Sequence, residues 1–148
     1  MHKQLLILFI LLIFGCDNKR DFNEGIIKSE VLKEIQKCED GWNKGNLTDY
    51  MQSYLQSDSL RFSGNNSYRF GWKAVLENYK RGYPNKEAMG SLTFSELDVK
   101  AISKDAALVF GRFTTARTSD TLTGLFTLLM RKYDNDWRIV HDHSSANY

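Results

Sequence analysis

The spacing of apolar residues changes at Pro84, the chain's single proline, and this change constrains the fold more than any other feature. Before Pro84, apolar residues recur every three or four positions. After it they recur every second position. A helix turns once in about 3.6 residues and a strand alternates its side chains between two faces. The sequence therefore predicts an α+β protein in which helices come first and a sheet follows.

Three apolar stripes predict three N-terminal helices packed on that sheet. The first begins near Ile26 and ends at Gly45, the second begins at Asn46, and the third runs from Trp72 to Pro84. Glycine suits a helix end and asparagine a helix start. The inner faces of these helices carry aromatic residues, namely Trp42, Tyr50, Tyr54, Trp72 and Tyr79. We interpret them as core residues, some of which line a pocket.

The remaining segments read as strands. Two short strands, 59–62 and 68–70, flank turn residues 64–67, and four longer strands cover 92–101, 106–117, 122–133 and 137–145. The connections between the long strands are short enough for hairpins. The alternation changes phase near Ser95 and Glu96, which indicates a β-bulge there.

The first sixteen residues have the character of a targeting signal. A basic start is followed by ten apolar residues, Leu5 to Phe14, and then by Gly15 and Cys16. Ten helical residues extend about 15 Å, half the hydrocarbon thickness of a bilayer, so this segment is too short to span one. The pattern is typical of a secretory signal.

The cysteine that follows Gly15 resembles the lipobox of bacterial lipoproteins. This resemblance implies a signal peptide at residues 1–15, a lipid on the Cys16 sulfur, a tether at 16–25 and a folded domain at 26–148. The protein would then be anchored to a membrane of the cell envelope, with its domain outside the cytoplasm. The alternative is an ordinary secretory signal in which Cys16 is incidental. If Cys16 is lipidated, Cys38 has no partner for an intrachain disulfide.

Charge and motif content exclude several function classes. The 20 basic and 18 acidic residues are spread along the chain and form no basic block, so we predict no nucleic-acid partner. The chain also lacks a phosphate-binding loop and a dinucleotide fingerprint, and we predict no cofactor.

Two of the long strands are apolar on both faces, at residues 108–110 and 125–129. An antiparallel sheet normally exposes one face to water. If helices cover one face, a second copy of the sheet is an economical cover for the other, and we therefore predict a homodimer. The alternative is that a few apolar side chains are simply exposed.

The order of elements resembles that of the nuclear transport factor 2-like fold, also called the SnoaL-like fold. Residues 134–145 look like the closing strand of the branch that includes the association domain of calcium/calmodulin-dependent protein kinase. Residues 42–47, followed by Tyr50 and Tyr54, resemble the helix junction of the same family. The likeness covers residues 29–145. It implies a curved antiparallel sheet that forms, with the three helices, a cone with an apolar pocket, usually in a dimer. Members of the family range from isomerases, dehydratases and cyclases to subunits without chemistry.

Two histidines on the last strand are candidate pocket residues. His141 and His143 are expected to share a face with Trp137 and Ile139, because side chains two apart point the same way. They could bind a ligand or move protons, or they could be structural groups near the strand end. A His-x-His pair can begin a zinc site, but zinc needs three or four ligands, and we predict no metal.

Arg112 is the charge that the resemblance singles out. It lies in the middle of a strand and aligns with a pocket arginine of the kinase association domain, which implies an acidic group on the ligand. A guanidinium suits a carboxylate well. The alternatives are a salt bridge to an acid of the chain itself and a surface side chain.

The primary hypothesis is a membrane-anchored domain that binds a small apolar or acidic molecule without assigned catalysis. Its predicted pocket residues are Arg112, His141, His143, Trp137, Tyr50, Tyr54, Trp42 and Trp72. One alternative is an isomerase, cyclase or dehydratase, which needs a pocket acid. The acids considered are Asp40, Asp58, Asp98 and Asp142, and none stands on a catalytic position of the family. The other alternative is a non-catalytic protein-interaction module.

Overall fold

The computed structural model describes residues 22–64 and 66–147. The predicted signal peptide and Cys16 lie outside these residues. The helices are α1 (Glu24–Asn43), α2 (Leu47–Gln52), α3 (Trp72–Gly82) and α4 (Lys86–Met89). The strands are β1 (Arg61–Gly64), β2 (Ser67–Phe70), β3 (Ser91–Ser103), β4 (Ala106–Ala116), β5 (Thr121–Tyr133) and β6 (Asp136–Asn147). Helix α1 thus begins two residues before the predicted start of the folded domain at Ile26, and the short α4 has no counterpart among the predicted helices.

Asparagine side chains begin the first two helices. Oδ1 of Asn23 accepts a hydrogen bond from the amide of Ile26, and Oδ1 of Asn46 accepts from the amides of Thr48 and Asp49. Both satisfy amides that a helix start leaves without an intrahelical partner. None of the helices within residues 22–64 and 66–147 is long and apolar enough to cross a membrane.

The six strands form one open sheet in the order β2-β1-β6-β5-β4-β3. All neighbouring pairs are antiparallel except β1 and β6, which run parallel, so the expectation of a wholly antiparallel sheet is wrong at this pair. The reason lies in the segment after α2. The amide of Leu55 donates to the carbonyl of Ile139, and the amide of Ile139 donates to the carbonyl of Ser53. These bonds lead the chain into β1 in the direction of β6.

Register shifts between strands change which side chains reach the interior. The predicted bulge near Ser95 and Glu96 is confirmed, because the pairing of β3 with β4 shifts between Ser95 and Asp98. The pairing of β5 with β6 also shifts its register. Leu129 pairs with His141, and the next residue, Met130, pairs with Ile139. One extra residue on β6 therefore exchanges the inner and outer faces beyond Ile139.

The helices cover only the inner face of the sheet. This face carries the buried side chains of the core, including Val109, Phe126 and Met130. The outer face leaves apolar side chains in contact with solvent: Phe110 is 43% and Leu125 is 52% exposed. Between the inner face and the helices, the packing leaves a cavity.

Candidate functional site

The cavity has a volume of about 680 Å³ and lies between α1, α2 and α3 and the inner face of the sheet. We call its open end the part lined by the β1–β2 hairpin, the end of α3 and the ends of β4 and β6, where lining residues such as Arg81 and Gly82 are exposed. Gly64 pairs with Ser144 at this end, and Phe62 pairs with Asp142 one step deeper. The cavity is large enough for one small molecule.

Asp142 presents a buried carboxylate to the cavity, with only 4% of the residue exposed. Its Oδ2 accepts a hydrogen bond of 2.7 Å from the hydroxyl of Tyr54, and its Oδ1 accepts one of 2.7 Å from the hydroxyl of Ser144. Burial raises the pKa of Asp142 above its ordinary value, although these two hydrogen bonds act in the opposite direction. The group is therefore suited to hydrogen bonding or proton transfer with a ligand.

Three tyrosines extend this network across the helices. The hydroxyl of Tyr50 lies 3.1 Å from that of Tyr54 and 3.3 Å from that of Tyr79. Burial raises the pKa of all three phenols well above the usual range, so each keeps its proton. Cys38 lies beside them, and its thiol donates to the carbonyl of Tyr50 at 3.6 Å.

Aromatic rings form much of the cavity wall. Trp42 packs edge-to-face against Tyr50 and Tyr83, with ring centroids 5.1 and 4.8 Å apart. Its indole nitrogen donates to the carbonyl of Met89, which fixes the ring. On the sheet side, Phe94 contacts Phe126 in a similar edge-to-face arrangement. These rings give the middle of the cavity an apolar character.

Three arginines from separate elements line the open end, namely Arg69 of β2, Arg81 of α3 and Arg117 just after β4. Arg69 donates to the hydroxyl of Ser67, whereas Arg117 forms a two-point ion pair with Asp120. Among the described residues that line the cavity, Asp142 is the single carboxylate. The cavity is thus basic at its opening and carries one acid at depth.

The structure brings Trp42, Tyr50 and Tyr54 of the predicted set together in the cavity wall. Trp72 and Trp137 do not line it. The indole of Trp72 donates to the carbonyl of Met51 at 2.8 Å, and the indole of Trp137 donates to Oε2 of Glu30 at 2.8 Å. The Trp72 indole thus joins α3 to α2, and the Trp137 indole joins β6 to α1.

The placement of His141 and His143 on the pocket face is wrong. The extra residue in β6 turns both side chains to the outer face and brings Asp142 inward. His141 pairs with Leu129 and Arg61, and His143 is exposed. Strict alternation from Trp137 does not anticipate this change, because the polar residues that follow Val140 leave no apolar pattern in which a change of phase would show.

Arg112 also lies on the outer face, and its placement in the pocket is wrong. Its Nε donates to Oε1 of Glu96 at 2.9 Å, and this hydrogen bond holds the pKa of Glu96 below its usual value. The salt bridge that sequence reasoning left open as an alternative is therefore present. The neighbouring residue Phe113 faces the cavity instead.

The predicted set of pocket residues leaves out Asp142, Tyr79 and the three arginines of the open end, all of which line the cavity. Asp142 is one of the acids weighed above, and strict alternation places it on the face opposite His141 and His143. The bulge in β6 is the feature that this alternation misses. Among residues 22–64 and 66–147, no group of three or more His, Cys, Asp or Glu side chains is arranged to hold a metal ion.

The SnoaL-like domain family model matches residues 36–148, most of the chain. The chain belongs to the SnoaL-like family. The predicted resemblance and the predicted α+β fold are confirmed. Among curated proteins, no sequence matches this chain.

Solved structures of several bacterial proteins resemble this SnoaL-like domain. An NTF-2-like protein of unknown function from Shewanella oneidensis MR-1 is 41% identical over 80% of this chain and 98% of that chain, with a TM-score of 0.77. An NTF2-like superfamily protein from Salmonella enterica is 21% identical over 85% and 94% of the two chains, with a TM-score of 0.69. A protein from Xanthomonas campestris named for the association domain of calcium/calmodulin dependent protein kinase II is 18% identical over 80% and 86%, with a TM-score of 0.65. The last two likenesses concern the fold alone.

Proposed function

We propose that this SnoaL-like domain binds one small amphipathic molecule inside its cavity. The observation that carries the proposal is the buried carboxylate of Asp142 on the wall of a cavity whose middle is lined by aromatic rings. Burying a charge is costly, and a small-molecule site typically combines an apolar wall with a few convergent polar groups. The apolar body of the ligand would pack between Trp42 and Phe126, and its polar group would reach the hydrogen-bond network of Asp142.

An acidic group on the ligand would be held at the open end. Arg69 and Arg81 supply guanidinium groups there, and Arg117 adds a third that is shared with Asp120. From Asp142 to Ala146, β6 rises about 13 Å at roughly 3.3 Å per residue. An elongated molecule with an acidic group at one end would therefore reach both regions.

The test is thermal unfolding with a series of aromatic and medium-chain carboxylates, each compared with its uncharged amide. A ligand present at 100 times its Kd stabilises the folded state by about 2.7 kcal/mol, which raises the Tm by several degrees. The carboxylates are expected to raise the Tm more than their amides do. In Arg69→Gln and Arg81→Gln this difference is expected to shrink.

Arg112→Gln is the matched control, because it removes an arginine from the outer face of the same sheet. Its carboxylate preference is expected to equal that of the wild type. A loss of preference in Arg112→Gln alone would contradict the assignment to the open end. Absence of any stabilisation across the series, together with a failure of both compound classes to bind by calorimetry, would contradict the proposed function.

A second candidate function is an acid–base enzyme of the isomerase, cyclase or dehydratase kind. The supporting observation is that burial raises the pKa of Asp142, a cavity carboxylate, toward the range useful for proton transfer. The test is deuterium exchange into a bound carbonyl compound, followed by NMR. Exchange that is lost in Asp142→Asn while binding persists would favour the enzyme.

We further propose that the domain is anchored to a membrane of the cell envelope through a lipid on Cys16 and that it forms a homodimer. The sequence pattern around Cys16 supports the anchor. The exposed side chains of Phe110 and Leu125 on the outer face support a second sheet as the partner. If that face instead receives another protein, the alternative of an interaction module gains support.

A further inference from the structure

The hydrogen bonds around Asp142 account for every hydroxyl proton in the network. Tyr54 has one proton and donates it to Asp142, so in its contact with Tyr50 it must accept. Tyr50 therefore donates to Tyr54, and in its contact with Tyr79 it must accept in turn. Tyr79 donates to Tyr50, and Ser144 donates to the other oxygen of Asp142.

The direction of this chain of bonds depends on two conditions that the structure supports. Asp142 accepts at both oxygens, as an ionised carboxylate does. Tyr50, Tyr54 and Tyr79 are buried phenols that keep their protons. With four hydroxyl protons and four hydrogen bonds, the network of these five groups holds no proton for a ligand. It offers lone pairs, at the oxygens of Asp142 and at the hydroxyl oxygen of Tyr79, and both residues line the cavity.

We infer that the inner end of the cavity selects a ligand that donates a hydrogen bond, an alcohol, phenol or amine, over one that only accepts, a ketone or ether. The inference rests on the proposed function and narrows its ligand class. A carbonyl oxygen placed here would face lone pairs and leave its own acceptor unpaired, whereas a hydroxyl or amino group would complete the network. Combined with the arginines of the open end, the favoured class is an apolar acid that carries a hydroxyl or amino group at its far end.

The test uses isothermal titration calorimetry to compare two compounds with the same carbon skeleton. They are the alcohol 1-(2-naphthyl)ethanol and the ketone 2-acetylnaphthalene. Measurements are made at mildly alkaline pH, which favours the ionised form of Asp142 on which the donor preference depends. The alcohol is expected to bind about tenfold more tightly than the ketone, which is the effect of one well-made hydrogen bond.

Asp142→Asn adds hydrogen-bond donors to the network without a large change of side-chain shape. The new amide adds two N–H groups where the carboxylate only accepted, and Ser144 then accepts and its own proton becomes available. The preference for the alcohol is expected to disappear or to change to the ketone. Asp98→Asn, which alters an exposed carboxylate, is the matched control and is expected to keep the preference of the wild type.

Each outcome bears on a different statement. Equal binding of both compounds by the wild type, or tighter binding of the ketone, overturns the donor rule and leaves the proposed function standing. An alcohol preference that Asp142→Asn keeps unchanged overturns the role of this network. Failure of both compounds to bind at millimolar concentration overturns the inference, and it overturns the proposed function as well when the carboxylate and amide series also fails to bind.

Discussion

The hydroxyl of Tyr54 donates to Oδ2 of Asp142 at 2.7 Å and joins the end of the α2 segment to β6 across 88 positions of sequence. The same segment pairs with β6 through Ile139, so backbone and side chain fix the contact together. The carboxylate is thereby held at a single place in the cavity wall. A polar group fixed in this way costs stability unless something else compensates for its burial.

Asp142→Asn is expected to stabilise the protein increasingly as the pH rises. Because burial raises the pKa of Asp142, the folded state binds this proton more tightly than the unfolded state does. The stability that the protonated group contributes is therefore present at low pH and lost as the pH rises through the folded-state pKa. Each pKa unit of difference corresponds to about 1.4 kcal/mol. Urea unfolding between pH 4 and pH 8 of variant and wild type measures the effect.

Residue 142 is expected to make hydrogen bonds to the same two partners in the variant and the wild type, so the measurement reports on ionisation. Asn can still accept from Tyr54 and can donate to Ser144, so both hydrogen bonds persist in the variant. Asp98→Asn changes an exposed carboxylate on β3 and reports on effects of net charge. A stability difference between Asp142→Asn and wild type that stays constant over the pH range would contradict the predicted cost of ionisation.

Gly41→Ala is expected to destabilise the protein by about 1–3 kcal/mol, the usual range for overpacking. A Cβ at Gly41 would lie 2.5 Å from the amide nitrogen of Tyr50 and 2.8 Å from the carbonyl carbon of Asp49. Both atoms are backbone of α2 and cannot rotate away. At Gly82, also in a helix, a Cβ would meet nothing within 4 Å. Gly82→Ala should therefore gain up to about 1 kcal/mol of helix propensity. Thermal unfolding of both variants checks the contrast, and equal effects would contradict it.

The positions of most helices and strands follow from local sequence patterns. The faces of the residues in the candidate site depend in addition on the register in which the strands pair. The stripes through Trp42 and Tyr50 predict helix faces correctly because 3.6-residue spacing is a local property, whereas Tyr54 lies beyond the end of α2. These three residues do line the cavity. The faces of His141 and Asp142 depend on one extra residue in the pairing of β6 with β5, which the sequence of β6 alone does not specify.

Arg112 shows the same limit from the side of charge. A mid-strand arginine next to apolar residues fits a pocket and a surface ion pair equally well. The pairing that decides between them joins Ser95 to Arg112, beside the bulge that brings Glu96 outward. Two of the three arginines that do line the cavity, Arg69 and Arg81, come from a short strand and a helix end, where apolar periodicity is too brief to assign a face.

Cys16→Ser is expected to abolish labelling of the protein by a radioactive or clickable fatty acid in bacterial cells and to release it from the membrane fraction. The lipid would be attached to the Cys16 sulfur, and serine offers no thiol. Cys38→Ala is the control, because it removes the chain's other cysteine, which is buried. Labelling that survives Cys16→Ser, or that is lost only in Cys38→Ala, would contradict the predicted anchor.

Leu125→Lys is expected to convert the proposed homodimer into monomers. Leu125 lies on the outer face of β5, pairs with Arg112 of β4, and is 52% exposed in the single chain. A lysine in the middle of a sheet-to-sheet contact would bury a charge without a partner, which is costly, whereas the folded monomer would keep the lysine in water. Sedimentation velocity should show about half the mass of the wild type, and the Leu125→Lys monomer should keep its fold. Ile26→Lys, at a position of α1 that is 57% exposed, is the matched control and should leave the mass unchanged. A wild type that sediments as a monomer, or a Leu125→Lys variant that remains a dimer, would rule out this face as the interface.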